Sequence, residues 1–225
     1  MAEQYQASES VENFLKAVYA LQPADGRVST NDLSERLGIS APSVTDMAQR
    51  MMNEGLVDYQ KYRGVRLTGD GERIALHVVR RHRLIELFLV RELDYPLADV
   101  HAEAEALEHA VSDRFIDALA AKLGDPVFDP HGESIPTADG VVDERELIRL
   151  SDLPVGAPAK ISQFSTRSSD MLQHILDRGF EIDRAVVITA RDPFDGPISA
   201  LIDQQRTIIG RQAASCIYVE RTPQA

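Results

Sequence analysis

Metal-binding side chains recur within nine consecutive positions of this chain: His101, Glu105, Glu108 and His109. At 100° per residue, a helix places these four side chains within one stripe about 100° wide. His82 and Glu86, spaced i, i+4, share a face of the preceding predicted helix. Imidazole and carboxylate donors without thiolate suit manganese or ferrous iron better than zinc or copper(I). The spacing therefore predicts a divalent metal site that is built from two helices.

The charge distribution is consistent with a bound cation. The formal net charge is −12, and residues 97–150 carry 13 acidic against 4 basic side chains, a net −9. An acidic stretch of this density repels itself unless it is solvated or neutralised by cations. A solvated acidic face is the alternative for the charge run alone, and the interspersed histidines favour a metal.

Two metalloenzyme patterns do not fit these residues. HExxH is absent, and Glu105 occupies the place where HxxEH requires its first histidine. A di-iron bundle requires paired Glu-x-x-His motifs, but the residue three after Glu105 is Glu108. No nucleophile motif accompanies the cluster, so the sequence indicates a protein that is not an enzyme.

Size and composition limit the remaining classes. The chain has 225 residues, 44% hydrophobic and 27% charged, which is typical of two or three folded domains and excludes disorder. Its apolar runs are shorter than the ~18 residues that span a bilayer. The segment Met1–Glu12 has no apolar signal region, and the single Cys216 excludes an internal disulfide. We therefore expect a cytoplasmic protein without a membrane segment.

The first 75 residues have the pattern of a winged helix–turn–helix. Apolar spacing and capping residues predict helices over Glu9–Leu21, from Ser29 or Thr30 to Gly38, and over Ala41–Glu54. Two short strands, residues 56–59 and 65–68, flank a glycine turn. In this fold the helix after the turn enters the DNA major groove by its N-terminus.

Small and hydroxyl-bearing residues at that N-terminus allow close approach to base edges and phosphates, and nearby basic residues supply salt-dependent contacts. A winged helix that binds protein is the alternative. The candidate DNA-contacting residues are Thr30, Arg36, Ser40, Pro42, Ser43, Thr45, Arg50, Lys61 and Arg63.

The rest of the chain predicts two further domains. Long helices are expected over Asp70–Arg91 and Val100–Leu123, followed by a Pro- and Gly-rich stretch over 125–143 that is typical of an ordered loop or a linker. After residue 155, short β-like runs surround one helix, Ser169–Arg178, which is typical of a small β-barrel. The predicted fold is mainly α. Its domains are a winged helix–turn–helix (1–75), a helical metal-binding and dimerisation domain (76–150) and an SH3-like domain (151–225).

Three motifs carry a resemblance to a known family: RHRLIE (81–86), VHAEAEALEHAVSD (100–113) and DPHGESIP (129–136). With the winged helix before them, they resemble the diphtheria toxin repressor family of metal-dependent transcriptional regulators. The last domain is similar to the ferrous-transport accessory (FeoA) domain. The resemblance implies a homodimeric repressor that binds palindromic double-stranded operators when its metal is bound.

The resemblance also implies ligands. A primary site takes Asn13, Glu105, Glu108 and His109, with His82 near it or shared. A second site takes His82 or Glu86, together with His101, Asp129, His131 and Asp170. The iron-responsive branch has cysteine at position 105 and methionine at position 13, so this chain resembles the manganese branch. Some manganese members carry carboxylates at the positions of Asn13 and Lys16.

These observations predict a Mn²⁺-dependent repressor in which the metal ties the first helix to the second long helix. Apolar residues of that long helix are expected at the dimer surface, with a buried core within the domain as the alternative for each: Leu107, Val111, Phe115, Ile116 and Leu119. Three alternatives remain open, namely an iron-dependent regulator of the same fold, a metal-dependent enzyme, and a metal-buffering or interaction protein whose winged helix does not read DNA.

Overall fold

The computed structural model describes residues 8–24 and 26–222, which form two compact units. Of these residues, 8–24, 26–82, 108–110 and 136–141 belong to unit 1, and 83–107, 111–135 and 142–222 belong to unit 2. The helices are α1 (Glu9–Leu21), α2 (Thr30–Leu37), α3 (Ala41–Asn53), α4 (Gly69–Leu93), α5 (Val100–Leu107), α6 (Asp113–Leu123), α7 (Ser169–Leu176) and α8 (Arg211–Ala214). The strands are β1 (Val57–Gln60), β2 (Gly64–Leu67), β3 (Ile148–Arg149), β4 (Pro158–Phe164), β5 (Ala185–Arg191), β6 (Ile198–Ile202), β7 (Gln205–Ile209) and β8 (Ile217–Arg221).

Unit 1 contains the predicted winged helix. The Ser29 and Ser40 side chains cap α2 and α3 by accepting hydrogen bonds from backbone N–H groups. Gly38 ends α2 in the left-handed conformation, with φ of 65°. Apolar residues of α1 pack into the core, where Phe14 and Leu15 are completely buried. The predicted helices and caps of this region are confirmed.

The wing is the antiparallel hairpin β1–β2, paired from Val57 opposite Leu67 to Gln60 opposite Gly64. Val28 bridges to Val65, which joins the segment before α2 to the hairpin. Gly64 is required here, because a Cβ at this position would lie 2.2 Å from the Val28 carbonyl oxygen.

The predicted single helix over Val100–Leu123 is wrong, because the structure has two helices. The first, α5, ends at Leu107, and the Ser112 side chain caps α6 by accepting a hydrogen bond from the Phe115 N–H at 3.3 Å. This N-cap starts a new helix even though the apolar spacing continues. Glu108 and His109 therefore lie in the intervening turn and not on one continuous helical stripe with His101.

The helical part of unit 2 has its own apolar core, in which Ile116 and Leu119 of α6 pack with residues of α4 and α5. Phe115 is 48% exposed on the same helix. Of the apolar residues expected at a dimer surface, Ile116 and Leu119 therefore belong to the core, whereas Phe115 lies on the surface.

In the Pro- and Gly-rich segment, residues 131 and 132 contact β4 within unit 2. The Phe164 N–H donates to the His131 carbonyl oxygen at 2.8 Å. Gly132, with φ of 81°, lies so close to β4 that a Cβ would be 2.1 Å from the Ser162 carbonyl oxygen. This backbone contact fixes the position of the neighbouring His131.

The C-terminal part of unit 2 is a six-stranded antiparallel sheet in the order β3-β8-β4-β5-β6-β7. Side chains of the sheet and of α7 form one core, in which Ile161, Ile175 and Ile188 are completely buried. The predicted strands of this region are present. The short β3 and α8 were not predicted, because two and four residues are too few for a periodic signal.

Across residues 8–24 and 26–222, no helix combines the length and the hydropathy needed to cross a bilayer.

We expect Gly132→Ala to destabilise the protein more than Gly156→Ala, the matched control. Both glycines have φ of 81°, but a Cβ at Gly156 meets no atom within 4 Å. The control substitution should cost about 1–2 kcal/mol for the left-handed backbone. The Gly132 substitution should cost a further ~1–3 kcal/mol, because the loop must move off β4. Urea unfolding measures both, and equal losses would contradict the docking contact.

Candidate functional site

The exposed face of α3 carries small and polar side chains. Pro42, Ser43 and Arg50 are exposed, whereas Val44 on the opposite face is completely buried. The Ser40 hydroxyl accepts a hydrogen bond from the Ser43 N–H at 3.3 Å and so caps the helix that would approach DNA. Several predicted DNA-contacting residues thus share one open helix face.

Other predicted contacts on α2 and α3 are less accessible. The Thr45 hydroxyl is half-buried and donates to the Ala41 carbonyl oxygen at 3.0 Å. Thr30 and Arg36 are half-buried on α2. Gln49 is exposed on the Pro42 face and was not predicted, although its spacing of seven residues from Pro42 places it there.

The tip of the wing presents two cations and an aromatic ring. Lys61, Tyr62 and Arg63 are all exposed, and Tyr62 is 94% exposed. The Lys61 Nζ lies 5.0 Å from the Tyr62 ring centroid. Such a tip suits the phosphate backbone of a nucleic acid. Tyr62 was not among the predicted contacts, although the turn Tyr62-Arg63-Gly64 was recognised.

Three segments of unit 1 bring polar side chains together in what we call the Glu108 cluster. Helix α1 contributes three residues that share one face by their i, i+3 and i+4 spacing, α4 contributes one, and the turn after α5 contributes two. Its members are Glu12, Asn13, Lys16, His82, Glu108 and His109.

His109 joins the turn to α1 through both of its ring nitrogens. Its Nδ1 lies 2.6 Å from Glu12 Oε2, and its Nε2 lies 3.0 Å from Asn13 Oδ1. The same Nε2 lies 3.3 Å from Glu108 Oε1. Arg81 of α4 donates to Glu12 at 3.3 Å. The imidazole is therefore surrounded by oxygen atoms that are themselves metal donors.

Glu108 is completely buried, so its carboxylate requires compensation. Lys16 Nζ donates to both oxygens, at 2.7 Å and 2.8 Å. His82 Nδ1 lies 2.5 Å from Glu108 Oε2. Lys16 and His82 are themselves buried. Truncation of either partner would leave an uncompensated buried charge, which is usually strongly destabilising.

Unit 2 holds a second group of donors, which we call the Glu86 cluster: Glu86, His101, Glu105 and His131. His101 Nδ1 lies 3.2 Å from Glu86 Oε1, and His131 Nε2 lies 3.7 Å from the same oxygen. His101 Nε2 lies 3.7 Å from Glu105 Oε1. Two imidazoles thus converge on one buried carboxylate.

Asp129 orients the loop that carries His131. Its Oδ1 accepts hydrogen bonds from the N–H groups of His131 and Glu133, both at 2.8 Å. Burial raises the pKa of Asp129 well above its usual range, and the nearby Glu133 and Glu86 carboxylates raise it further. Arg83 lowers the pKa of Asp129, because its positive charge lies 3.7 Å from that carboxylate and favours the ionised form.

The predicted ligands therefore fall into two groups. Unit 1 brings together Asn13, His82, Glu108 and His109. Unit 2 brings together Glu86, His101, Glu105, Asp129 and His131. Within the described residues, no hydrogen bond or ion pair joins Asp170, which is exposed in the first turn of α7, to the other predicted ligands; its role stays a prediction.

Sequence reasoning missed Glu12 and gave Lys16 no role. Both lie on the Asn13 face of α1, and this helical spacing was the only available signal. Their partners Glu108 and His109 are more than ninety residues away in sequence, so only the fold reveals the contacts.

The donor sets fit a hard or borderline divalent ion. Both clusters offer carboxylate oxygens and imidazole nitrogens, and the Glu108 cluster adds an amide oxygen. None of these donors is sulfur. Such sets suit manganese or ferrous iron, and neither has the thiolate ligands that favour softer ions.

Three family profiles match successive parts of the chain. "Iron dependent repressor, N-terminal DNA binding domain" matches residues 6–65, and "Iron dependent repressor, metal binding and dimerisation domain" matches residues 68–137. "FeoA domain" matches residues 148–221. The expected succession of a DNA-binding, a helical and a small β domain is confirmed.

Individual relatives are similar to this chain over most of its length. The iron-dependent repressor IdeR of Mycobacterium tuberculosis is 28% identical, covering 95% of this chain and 97% of that protein. The diphtheria toxin repressor of Corynebacterium efficiens is 33% identical, covering 68% of this chain and 69% of the relative. A solved manganese-dependent transcriptional repressor in complex with manganese is 39% identical, with a TM-score of 0.88, covering 94% of this chain and 100% of that structure.

The raised pKa of Asp129 predicts a pH dependence of stability. The folded chain holds this proton more tightly than the unfolded chain, so the contribution of Asp129 to stability falls as pH rises from about 4 through the raised pKa. In chelator, Asp129→Asn should remove that fall. Asp117→Asn, which neutralises an exposed carboxylate of α6, is the control. Urea unfolding across pH measures the slopes, and identical slopes for Asp129→Asn and wild type would contradict the assignment.

Proposed function

The chain belongs to the family of metal-dependent repressors that includes IdeR and the diphtheria toxin repressor, and from this premise we propose that manganese is its co-repressor. It is a DNA-binding transcriptional repressor and not an enzyme, and a divalent metal binds its dimerisation domain. We further propose that the dimer reads a palindromic operator when Mn²⁺ is bound.

The observation that carries the choice of manganese is that Asn13 and Glu105 offer oxygen atoms at the two positions where the resemblance gives the iron-responsive branch methionine and cysteine. Asn13 offers an amide oxygen and Glu108 a carboxylate beside the His109 imidazole. Mn²⁺ is a hard ion low in the Irving–Williams order, so a site for it gains by avoiding thiolate and thioether ligands, which favour softer competitors. Glu105, which lies in the Glu86 cluster, is a further carboxylate that the family resemblance names as a ligand.

In the proposed mechanism, Asn13, Glu108 and His109 would hold the ion and so tie α1 to the turn at 108–110. The ion would supply positive charge that offsets the carboxylates around it. His109 would bind through one ring nitrogen and release only the contact of that nitrogen, either Glu12 at Nδ1 or Asn13 at Nε2, and Glu108 would turn toward the ion oxygen atoms that now contact Lys16 and His82. Metal binding would thereby order α1 within the unit that contains the recognition helix.

DNA binding is proposed for the exposed face of α3 and the tip of the wing. Pro42, Ser43 and Arg50 would approach the major groove, while Lys61 and Arg63 would contact phosphates. In a dimer, two such helices must be spaced by one turn of DNA, ~34 Å, to read a palindrome.

The Glu86 cluster would hold a second ion through Glu86, His101 and His131.

Iron is the second candidate, since IdeR, which covers nearly the whole chain, is named an iron-dependent repressor. The two candidates share the fold and the operator mechanism and differ in the ion that completes the site.

Glu105→Ala should weaken Mn²⁺-dependent operator binding by at least tenfold and leave the fold intact, because the Glu105 side chain is 37% exposed. Glu103→Ala removes the same charge from an exposed position of α5 and should have little effect. Glu105→Cys should shift the preference toward Fe²⁺, Co²⁺ or Zn²⁺, because thiolate favours softer ions. Fluorescence anisotropy with a labelled operator measures these changes. Unchanged affinity in Glu105→Ala would remove Glu105 from the ligand set.

Selection of bound duplexes from a random DNA pool tests the proposed function directly, with parallel pools in Mn²⁺, in anaerobic Fe²⁺ and in chelator. We expect a palindrome to be enriched with Mn²⁺ and lost in chelator. Enrichment with Fe²⁺ alone would make iron the co-repressor. Equal enrichment in chelator would contradict metal dependence.

A further inference from the structure

We propose that the Lys16 ammonium group competes with a divalent ion for the Glu108 cluster. The ammonium group contacts atoms that would ligate the ion, and it must be displaced when the ion binds. Lys16 would thereby set the ion concentration at which the repressor responds. This inference rests on the proposed function, because it assumes that Glu108 is a metal ligand.

The contacts of the ammonium group are those of a bound cation. Lys16 Nζ lies 2.7 Å from Glu108 Oε1, 2.8 Å from Glu108 Oε2 and 3.2 Å from His82 Nδ1. The ammonium nitrogen thus lies close to three atoms that can ligate a metal ion, two carboxylate oxygens and one imidazole nitrogen. Carboxylate and imidazole are also the ligand types that Mn²⁺ and Fe²⁺ take in proteins.

The position of Lys16 on α1 places its ammonium group at the same ligand atoms that a bound ion would use. Asn13 and Lys16, spaced i, i+3, lie on one face of α1, and both contact the turn that carries Glu108 and His109. An ion held by Asn13, Glu108 and His109 would therefore lie next to the ammonium. Lys16 is not an exposed lysine that happens to be near, because only 8% of its surface is accessible.

Electrostatics prevents both cations from sharing Glu108 at full strength. A divalent ion and an ammonium a few ångströms apart repel strongly in a buried site, where the effective dielectric constant is well below that of water. Lysine has a flexible four-carbon stem and carries its charge at a single point, so it can move away without unfolding α1. Its departure costs the Glu108 ion pair, and this cost is subtracted from the affinity of every divalent ion alike.

Two consequences follow for the repressor. Lys16 neutralises the completely buried Glu108, which stabilises the protein before metal binds. It also raises the ion concentration needed for occupancy, so the chain responds to a surplus of metal. Because the competition depends on charge alone, Lys16 sets a threshold and does not discriminate between Mn²⁺ and Fe²⁺.

The test compares Mn²⁺ binding and thermal stability of the full chain with those of Lys16→Met. Lys160→Met is the matched control. Lys160 lies on β4, and its substitution removes the same charge from an exposed ion pair with Asp183. Free Mn²⁺ is followed by electron paramagnetic resonance, and the melting temperature is measured in chelator and in Mn²⁺.

We expect Lys16→Met to bind Mn²⁺ at least tenfold more tightly than wild type, with the same number of ions per chain. In chelator it should melt at a lower temperature than wild type, and Mn²⁺ should raise its melting temperature by more. The control should match wild type in all three respects. Lys16→Gln keeps hydrogen-bond donors toward Glu108 without the charge, and we expect it to show the same changes as Lys16→Met. It serves as the test variant if Lys16→Met does not fold in chelator.

Unchanged or weaker Mn²⁺ binding in both Lys16 variants would overturn the proposal. An additional bound ion at unchanged affinity would also overturn it, because Lys16 would then block a separate position and not compete for this one. The outcome is separable from the proposed function. Tighter Mn²⁺ binding in the variants, with no Mn²⁺-dependent operator binding by wild type, would contradict the function and leave the displacement in place.

Discussion

The buried carboxylate of Glu108 is the constraint on which unit 1 depends. A carboxylate without solvent access requires positive charge and hydrogen-bond donors around it, and here these are supplied by Lys16 on α1 and His82 on α4. Three segments that are far apart in sequence are thereby held at one point. Because the carboxylate requires positive charge, a divalent ion bound at this position would also stabilise it. The proposed metal response would therefore have the same electrostatic origin as the stability of this unit.

The two donor clusters differ in what they connect. The Glu108 cluster lies in the unit that contains the winged helix, and its histidine contacts α1 directly. The Glu86 cluster lies within unit 2, where Asp129 and the backbone contact of Gly132 with β4 fix the loop of His131. An ion in the first cluster would act on α1 itself, whereas an ion in the second would act on the helical domain and its loop. Under the proposed function, an ion at each cluster would therefore act on a different part of the chain.

Local signals in the sequence predicted local structure well. Apolar spacing gave the bounds of α1, and Ser29, Ser40 and Gly38 marked the ends of α2 and α3, because caps act over a few residues. The Ser112 cap was overlooked because the apolar pattern continued past it. The motif residues Glu108 and His109 were recognised as donors.

The partners of these donors could not be predicted in the same way. Glu12 and Lys16 face Glu108 and His109 only because the fold brings α1 to the turn at 108–110, and no short-range pattern encodes that approach. Some manganese members of the family carry a carboxylate at the position of Lys16, whereas the structure shows a lysine paired with the buried Glu108. A basic residue beside predicted metal ligands therefore has meaning only once its burial and distances are known.

The proposed function requires that a divalent ion ties α1 to the turn at residues 108–110. Amide hydrogen exchange of the full chain without DNA, in Mn²⁺ and in chelator, measures this tie. We expect Mn²⁺ to slow exchange in α1 and around Glu108 and His109, while strands β5 and β6 of unit 2 exchange at the same rate in both conditions. Equal exchange of α1 with and without saturating Mn²⁺ would contradict it.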